Sequence, residues 1–257
     1  MHAKSWAKWT LARLGFFLGR LPKTNTIDTH LIHLFSLLGI DCVLDVGAHR
    51  GEYGRELRRL GFGGRIISFE PIPENFALLR RECAGDSNWR AQQIALGSEE
   101  GCAEINVLSG TTFSSFLGPS EYGVAQFGTK MRTERTELVE VRRLEGLFDE
   151  CVAGIERPRV FLKMDTQGYD LAVLEGAGTK LDRVAALQTE LAVKPLYRGM
   201  TTSFVDSISR LQQFGFELTG LFPETYDPSD RLRVVELNCV MCRATGRYSD
   251  SHIYKFN

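Results

Sequence analysis

Three apolar runs in this chain end in an acid: Cys42-Val43-Leu44-Asp45, Ile66-Ile67-Ser68-Phe69-Glu70 and Val160-Phe161-Leu162-Lys163-Met164-Asp165. Short, continuous apolar runs read as strands buried on both faces, the kind that build parallel sheets. Parallel strands put their carboxyl ends on one edge, so Asp45, Glu70 and Asp165 converge there. A buried carboxylate without a partner is costly, and the cluster therefore calls for hydroxyl, amino or cationic groups. Behind Asp45 comes Val46-Gly47-Ala48-His49-Arg50-Gly51. Its small residues let a ligand approach the backbone where the strand turns into a helix. Ligands of open α/β sheets sit outside this edge, so a nucleotide-like cofactor is the first reading.

The elements that must position these acids follow from periodicity. Ile27, Leu31, Leu34, Phe35 and Leu38 share one side of a helix that Gly39 stops. Tyr53, Leu57 and Leu60 mark the helix after the first strand. Residues 65–70 form the second strand, 74–83 the next helix and 92–96 a third strand. This β-α-β-α-β order with short links predicts a parallel sheet with helices on both faces. Residues 109–128, rich in Gly, Ser and Thr, read as a long mobile loop of the kind used as a lid or binding loop. Short strands are expected around Ile105–Val107 and Leu138–Val141. The pattern resumes at 160–165, with a helix after Gly168, a strand at 185–191 containing Glu190 and a helix at 203–214. Residues 216–222 and 232–242 read as a closing antiparallel pair.

A ribose diol and an amino-acid ammonium would satisfy the strand-end acids, and S-adenosylmethionine carries both beside a sulfonium cation. Asp45-x-Gly47-Ala48-x-x-Gly51 followed by Glu70 resembles the class I S-adenosylmethionine-dependent methyltransferases. Ser68-Phe69-Glu70-Pro71-Ile72-Pro73-Glu74-Asn75-Phe76, Ala95-Leu96-Gly97, Leu162-Lys163-Met164-Asp165-Thr166-Gln167-Gly168-Tyr169-Asp170, Val173-Leu174-Glu175-Gly176-Ala177 and Gln188-Thr189-Glu190-Leu191 through Pro195-Leu196-Tyr197 resemble, in that order, the FkbM-type methyltransferase family. The resemblance runs from about Leu37 to Arg243.

The resemblance implies a Rossmann-like α/β fold with a mostly parallel seven-stranded sheet and a final antiparallel strand. It implies methyl transfer from S-adenosyl-L-methionine to a hydroxyl of a sugar, glycan or secondary metabolite. Glu70, with Pro71 beside it, would bind the ribose; Gly47, Ala48, His49 and Gly51 would surround the methionine part; Asp45 would hold the turn or a water. Ala95 and Leu96 would flank the adenine. A hydroxyl acceptor profits from a base. Asp165 is the first candidate and Glu190 the second, with Lys163 orienting an acid or the acceptor. Ser114, Ser115 and Tyr197 would meet the substrate. Two positions depart from the family pattern: His49 where asparagine is common, and Asn238 where aspartate is.

Composition narrows the alternatives. The 257 residues carry 31 basic and 32 acidic side chains, a near-neutral balance that argues against a nucleic-acid partner. Six scattered cysteines and the lack of an Asn-x-Ser/Thr sequon fit a reducing, cytoplasmic setting. Cys239-x-x-Cys242 is an isolated pair, so no metal site is expected. A nicotinamide-dependent oxidoreductase would need Gly-x-Gly-x-x-Gly, and Gly47, Gly51 and Gly54 are spaced otherwise. A non-catalytic partner that kept the fold stays open. Residues 1–36 read as an amphipathic helical leader ahead of a methyltransferase domain at 37–257. Within 1–23, Lys4, Lys8, Arg13, Arg20 and Lys23 stand beside Trp6, Trp9, Phe16 and Phe17 with no acid. Peripheral contact with an anionic membrane and packing on the domain are both open there. Oligomeric state is not legible.

Overall fold

The computed structural model describes residues 26–200 and 203–244. In chain order the elements are α1 (Ile27–Leu38), β1 (Cys42–Val46), α2 (Glu52–Arg59), β2 (Arg65–Phe69), α3 (Pro73–Cys83), β3 (Trp89–Gln92), β4 (Ala95–Leu96), β5 (Gly101–Leu108), α4 (Glu121–Phe127), β6 (Thr133–Arg142), α5 (Leu144–Cys151), β7 (Val160–Met164), α6 (Asp170–Ala177), β8 (Val184–Ala192), α7 (Phe204–Gln213), β9 (Phe216–Tyr226) and β10 (Val234–Arg243). Seven strands form one sheet in the order β3-β2-β1-β7-β8-β10-β9. Neighbours from β3 to β8 pair in parallel, and β10 runs antiparallel to both β8 and β9.

Side chains of a strand alternate between faces, and here both faces are apolar. Cys42, Leu44 and Val46 of β1 face one core with Leu162, Leu187, Leu144, Phe148, Val173 and Leu174. Val43 faces the other with Ile66, Phe161, Leu31, Leu34, Leu57 and Leu79. The first core is roofed by α5, α6 and α7, the second by α1, α2 and α3. Helix α1 begins at Thr26, whose hydroxyl accepts from the Thr29 N–H, and ends at Gly39 in the left-handed conformation (φ 64°). The domain boundary expected at residue 36 falls inside this helix. The leader segment expected at 1–23 lies outside the described residues.

Three expectations need correction. The third strand expected at 92–96 is two elements. β3 joins the large sheet, whereas β4 pairs with β6 in a separate three-stranded sheet, β4-β6-β5. Ala95 is drawn there by Ile72, Ile105, Val139 and Val141, which form their own apolar cluster. The stretch 109–128 is not one long loop: a 3-10 turn occupies Thr111–Phe113 and α4 begins at Glu121, capped by Ser120. The flanking strands are also longer than expected, because β5 and β6 pair over most of their length. The closing pair is antiparallel as expected, and Cys239 and Cys242 pack on opposite faces of the sheet. Among the described residues no helix is long and apolar enough to cross a membrane.

Candidate active site

The chain leaves β1 towards β2 and β3 on one side and, later, builds β7, β8 and β10 on the other. The crevice at that reversal, outside the carboxyl ends of β1 and β7, is where open α/β sheets bind ligands. A cavity of about 440 Å³ lies there, lined by residues following β1, β2 and β7 and by β8, β9 and β10. Its wall changes character along the sheet edge. Ile72, Ala95, Ile105 and Phe116 belong to one apolar cluster beside Glu70. Gln188, Asn238 and Glu224 line the opposite end as a hydrogen-bonded chain.

Glu70, at the end of β2, is 4% exposed. Main-chain donors hold it: the His49 N–H reaches Oε2 at 2.9 Å and the Ile72 N–H reaches Oε1 at 3.0 Å. Burial outweighs these bonds and pushes its pKa up to about 7. Its neighbour Asn75 adds a longer contact at 3.5 Å. His49 reaches its position through a left-handed backbone (φ 48°), and its ring spans Glu52 and Thr111. Burial lowers the His49 pKa, so the ring is neutral near pH 7.

Gly47 lines the cavity, and its lack of a side chain has a further reason. Its φ is 76°, and a Cβ there would stand 2.0 Å from the Asp165 carbonyl oxygen. The close neighbour is the end of β7, not an incoming molecule. Gly51 caps α2 with φ 88° and faces Leu79 and Trp89, away from the cavity lining. Asp45 is likewise absent from the lining. It is fully buried, accepts from Ser68 Oγ at 3.0 Å and pairs with Lys163 at 3.2 Å. It is placed to hold Lys163.

Lys163 reaches forward as well, to Asp165 Oδ2 at 3.4 Å, with its ammonium 5.1 Å from the Tyr53 ring centroid. Burial alone would lower its pKa, but Asp45 and Asp165 hold it charged and raise it above the ordinary lysine value. Asp165 also accepts from Gln167 Nε2 at 2.8 Å. The same nitrogen donates to Glu190 Oε2 at 2.9 Å. Glu190 is desolvated and faces Asp165, which raises its pKa well above that of a free glutamate. The structure thus brings Asp165, Glu190 and Lys163 together on the cavity wall.

The three substrate candidates sit differently from one another. Ser114 and Ser115 line the cavity, but their hydroxyls are engaged within the protein: Ser114 Oγ accepts from the Leu108 N–H, and Ser115 Oγ donates to the Gln167 carbonyl at 2.8 Å. Tyr197 is buried behind Gln167, donating to its Oε1 at 2.6 Å, and does not line the cavity. Ala48, Pro71, Ala95 and Leu96 do line it. Sequence reasoning singled out neither Gln167 nor Asp170 as functional, although both stand in the segment that carries the family resemblance. Asp170 is 7% exposed and accepts from the Thr166 N–H and the Glu190 N–H, tying the turn after β7 to β8.

An open sheet in this order, with one antiparallel strand next to its edge and an acid closing β2, is the class I methyltransferase architecture. The chain belongs to the Methyltransferase FkbM domain family, whose match covers residues 45–218. The methyltransferase sdnD of Sordaria araneosa is 27% identical over 167 residues, 57% of this chain. The chain spans 64% of that relative's length. Among solved structures, fibrillarin of Aeropyrum pernix with natively bound S-adenosyl-L-methionine is similar at 12% identity, over 78% of this chain and 66% of that one, with a TM-score of 0.45. Cofactor-bound Rv0187 of MTB is 14% identical over 94% and 90% of the two chains, with a TM-score of 0.44.

Proposed function

We propose that this protein transfers a methyl group from S-adenosylmethionine to a hydroxyl of a sugar, glycan or secondary metabolite, with Glu190 as the base. The observation that carries the reading is Glu70: a buried carboxylate at the end of β2, fixed by two main-chain N–H groups, between an apolar wall and an acidic one. Oε2 accepts one bond and keeps a lone pair, and Oε1 has only the long Asn75 contact beside its main-chain donor, which fits a ribose diol. Ile72, Ala95 and Phe116 fit the face of a purine. Asp165, on the β7 side of the crevice, fits a cationic centre. The bound cofactor supplies an electrophilic methyl on a sulfonium.

This chain's own contribution is then alignment and proton removal. Both oxygens of Asp165 have donors, Gln167 and Lys163, so Asp165 is poorly placed to take a proton. Among the described residues only Oε2 of Glu190 is engaged, and its raised pKa makes it the stronger base. The order expected from sequence, Asp165 before Glu190, is therefore reversed in this reading. Among the described residues, the β8–β10 end of the cavity carries Glu190 and Glu224 and no arginine, so a neutral hydroxyl compound fits it better than a phosphate or carboxylate. A cytoplasmic setting belongs to the same proposal.

Calorimetric titration with S-adenosylhomocysteine, with NADH in parallel, tests the cofactor. Micromolar binding of the first, weakened about 100-fold in Glu70→Ala, is expected. Binding of NADH alone would replace this reading with an oxidoreductase.

A further inference from the structure

Gln167 occupies the turn between β7 and α6 with φ 54°, a backbone region costly for a residue with a side chain, and Gly168 follows at 92°. Its neighbours hold it there. Ser115 Oγ donates to its carbonyl at 2.8 Å, and Tyr197 Oη shares its one hydrogen between Gln167 Oε1 at 2.6 Å and the Phe113 carbonyl at 2.9 Å. With the oxygen turned to Tyr197, the amide nitrogen must face the other way. Its two hydrogens go to Asp165 Oδ1 at 2.8 Å and Glu190 Oε2 at 2.9 Å. The reversed amide would point an oxygen at two carboxylates, so the hydrogen bonds determine the orientation.

We propose that Gln167 is the positioning residue for proton removal, holding Glu190 by one oxygen so that the other faces the acceptor, and keeping it apart from Asp165. The inference rests on the reading of Glu190 as the base. Two carboxylates this close repel, and a shared neutral donor lowers the cost of ionising Glu190 beside Asp165. Other charged groups also act on Glu190: Asp165 and Lys163 from β7 and the turn after it, Asp170 from α6, and Glu236 from β10. Tyr197 faces it from the segment after β8. Gln167 is the neutral donor that joins Glu190 to Asp165. Its hydrogen bond favours the ionised form of Glu190.

The test needs no acceptor. In protein labelled with carboxyl-13C glutamate, the Glu190 resonance is the one that disappears in Glu190→Gln, and its titration midpoint is read directly. In wild-type protein that midpoint should lie well above the ordinary glutamate value. Gln167→Met keeps the length of the side chain and removes both donors; the midpoint should rise by on the order of one pH unit. Tyr197→Phe releases the amide without removing it and should move the midpoint the same way by less. It also serves should Gln167→Met fail to fold. A Glu190 midpoint unchanged in a folded Gln167→Met protein would overturn the positioning role and leave Gln167 a loop residue. A wild-type midpoint at the ordinary value would overturn the base assignment instead. Loss of S-adenosylhomocysteine binding by the wild-type protein would concern the cofactor alone.

Discussion

The two ends of the cavity hold their acids by different means. Glu70 is fixed by the N–H groups of His49 and Ile72, donors that any non-proline residue would supply at those positions. Glu190 is fixed by the side-chain amide of Gln167, which Tyr197 orients in turn. Further along, Tyr53 donates to Gln188, Gln188 to Asn238 and Asn238 to Glu224, all through side chains. A main-chain cradle is set by where the strand ends. A side-chain cradle is set by residue identity at several distant positions. One end is therefore suited to a ligand common to a family, and the other to an acceptor that differs between members.

Lys163 joins the two ends, and its loss should have the largest effect. Lys163→Met leaves Asp45, fully buried, without its cation, and removes a partner of Asp165. Breaking a buried pair by removing one partner costs about 3–5 kcal/mol. Urea denaturation should show a loss of that size. A loss below about 1 kcal/mol would mean that Asp45 is stable as a neutral acid, with Ser68 as its partner. Glu70→Ala comes next. It removes the acceptor of a ribose diol, and a hydrogen bond to a charged group contributes about 1.5–3 kcal/mol. S-adenosylhomocysteine should bind about 100-fold more weakly. Equal weakening by Glu224→Ala would erase the distinction between the two ends.

The same division explains what was legible in the sequence. The strands of the large sheet other than β3, their acids and the closing antiparallel pair could be read because an apolar run shows its own burial. Glu70 was legible because its role depends on position at the end of β2. Asp45 is less legible for the opposite reason. Its place in the motif is that of a ligand residue, but β1 points it into the core, where Lys163 from β7 meets it. Gly47 is similar: its missing Cβ accommodates a carbonyl 118 residues later in the chain, a contact that local spacing does not encode. Gln167 went unassigned because its meaning lies in four partners from three other segments and its own turn: Ser115, Asp165, Glu190 and Tyr197. Asn238, noted as a departure from the family pattern, lies directly opposite Glu190 across β8 and β10. An aspartate there would add a charge beside two carboxylates, and the amide instead donates to Glu224 at 2.7 Å.

The smallest predicted effect separates the two ends by pH. Burial pushes Glu70 to about pH 7 in the free protein. A protonated carboxyl accepts fewer hydrogen bonds, so protons compete with a ribose diol, and the bound form is the ionised one. Because the free-state pKa is raised, the competition is strong below 7 and fades above it. Affinity for S-adenosylhomocysteine should therefore rise about tenfold between pH 6 and pH 8 and then level off, a change of roughly 1.4 kcal/mol. Binding at pH 6 should also release nearly one proton, measurable by calorimetry in buffers of different ionisation enthalpy. Glu190→Gln should keep this slope, because its proton belongs to the other end of the cavity. Glu70→Ala should flatten it. A slope that survives in Glu70→Ala would assign the proton to the ligand's amine or to another residue. It would then follow that the main-chain cradle already holds Glu70 ionised before any ligand arrives.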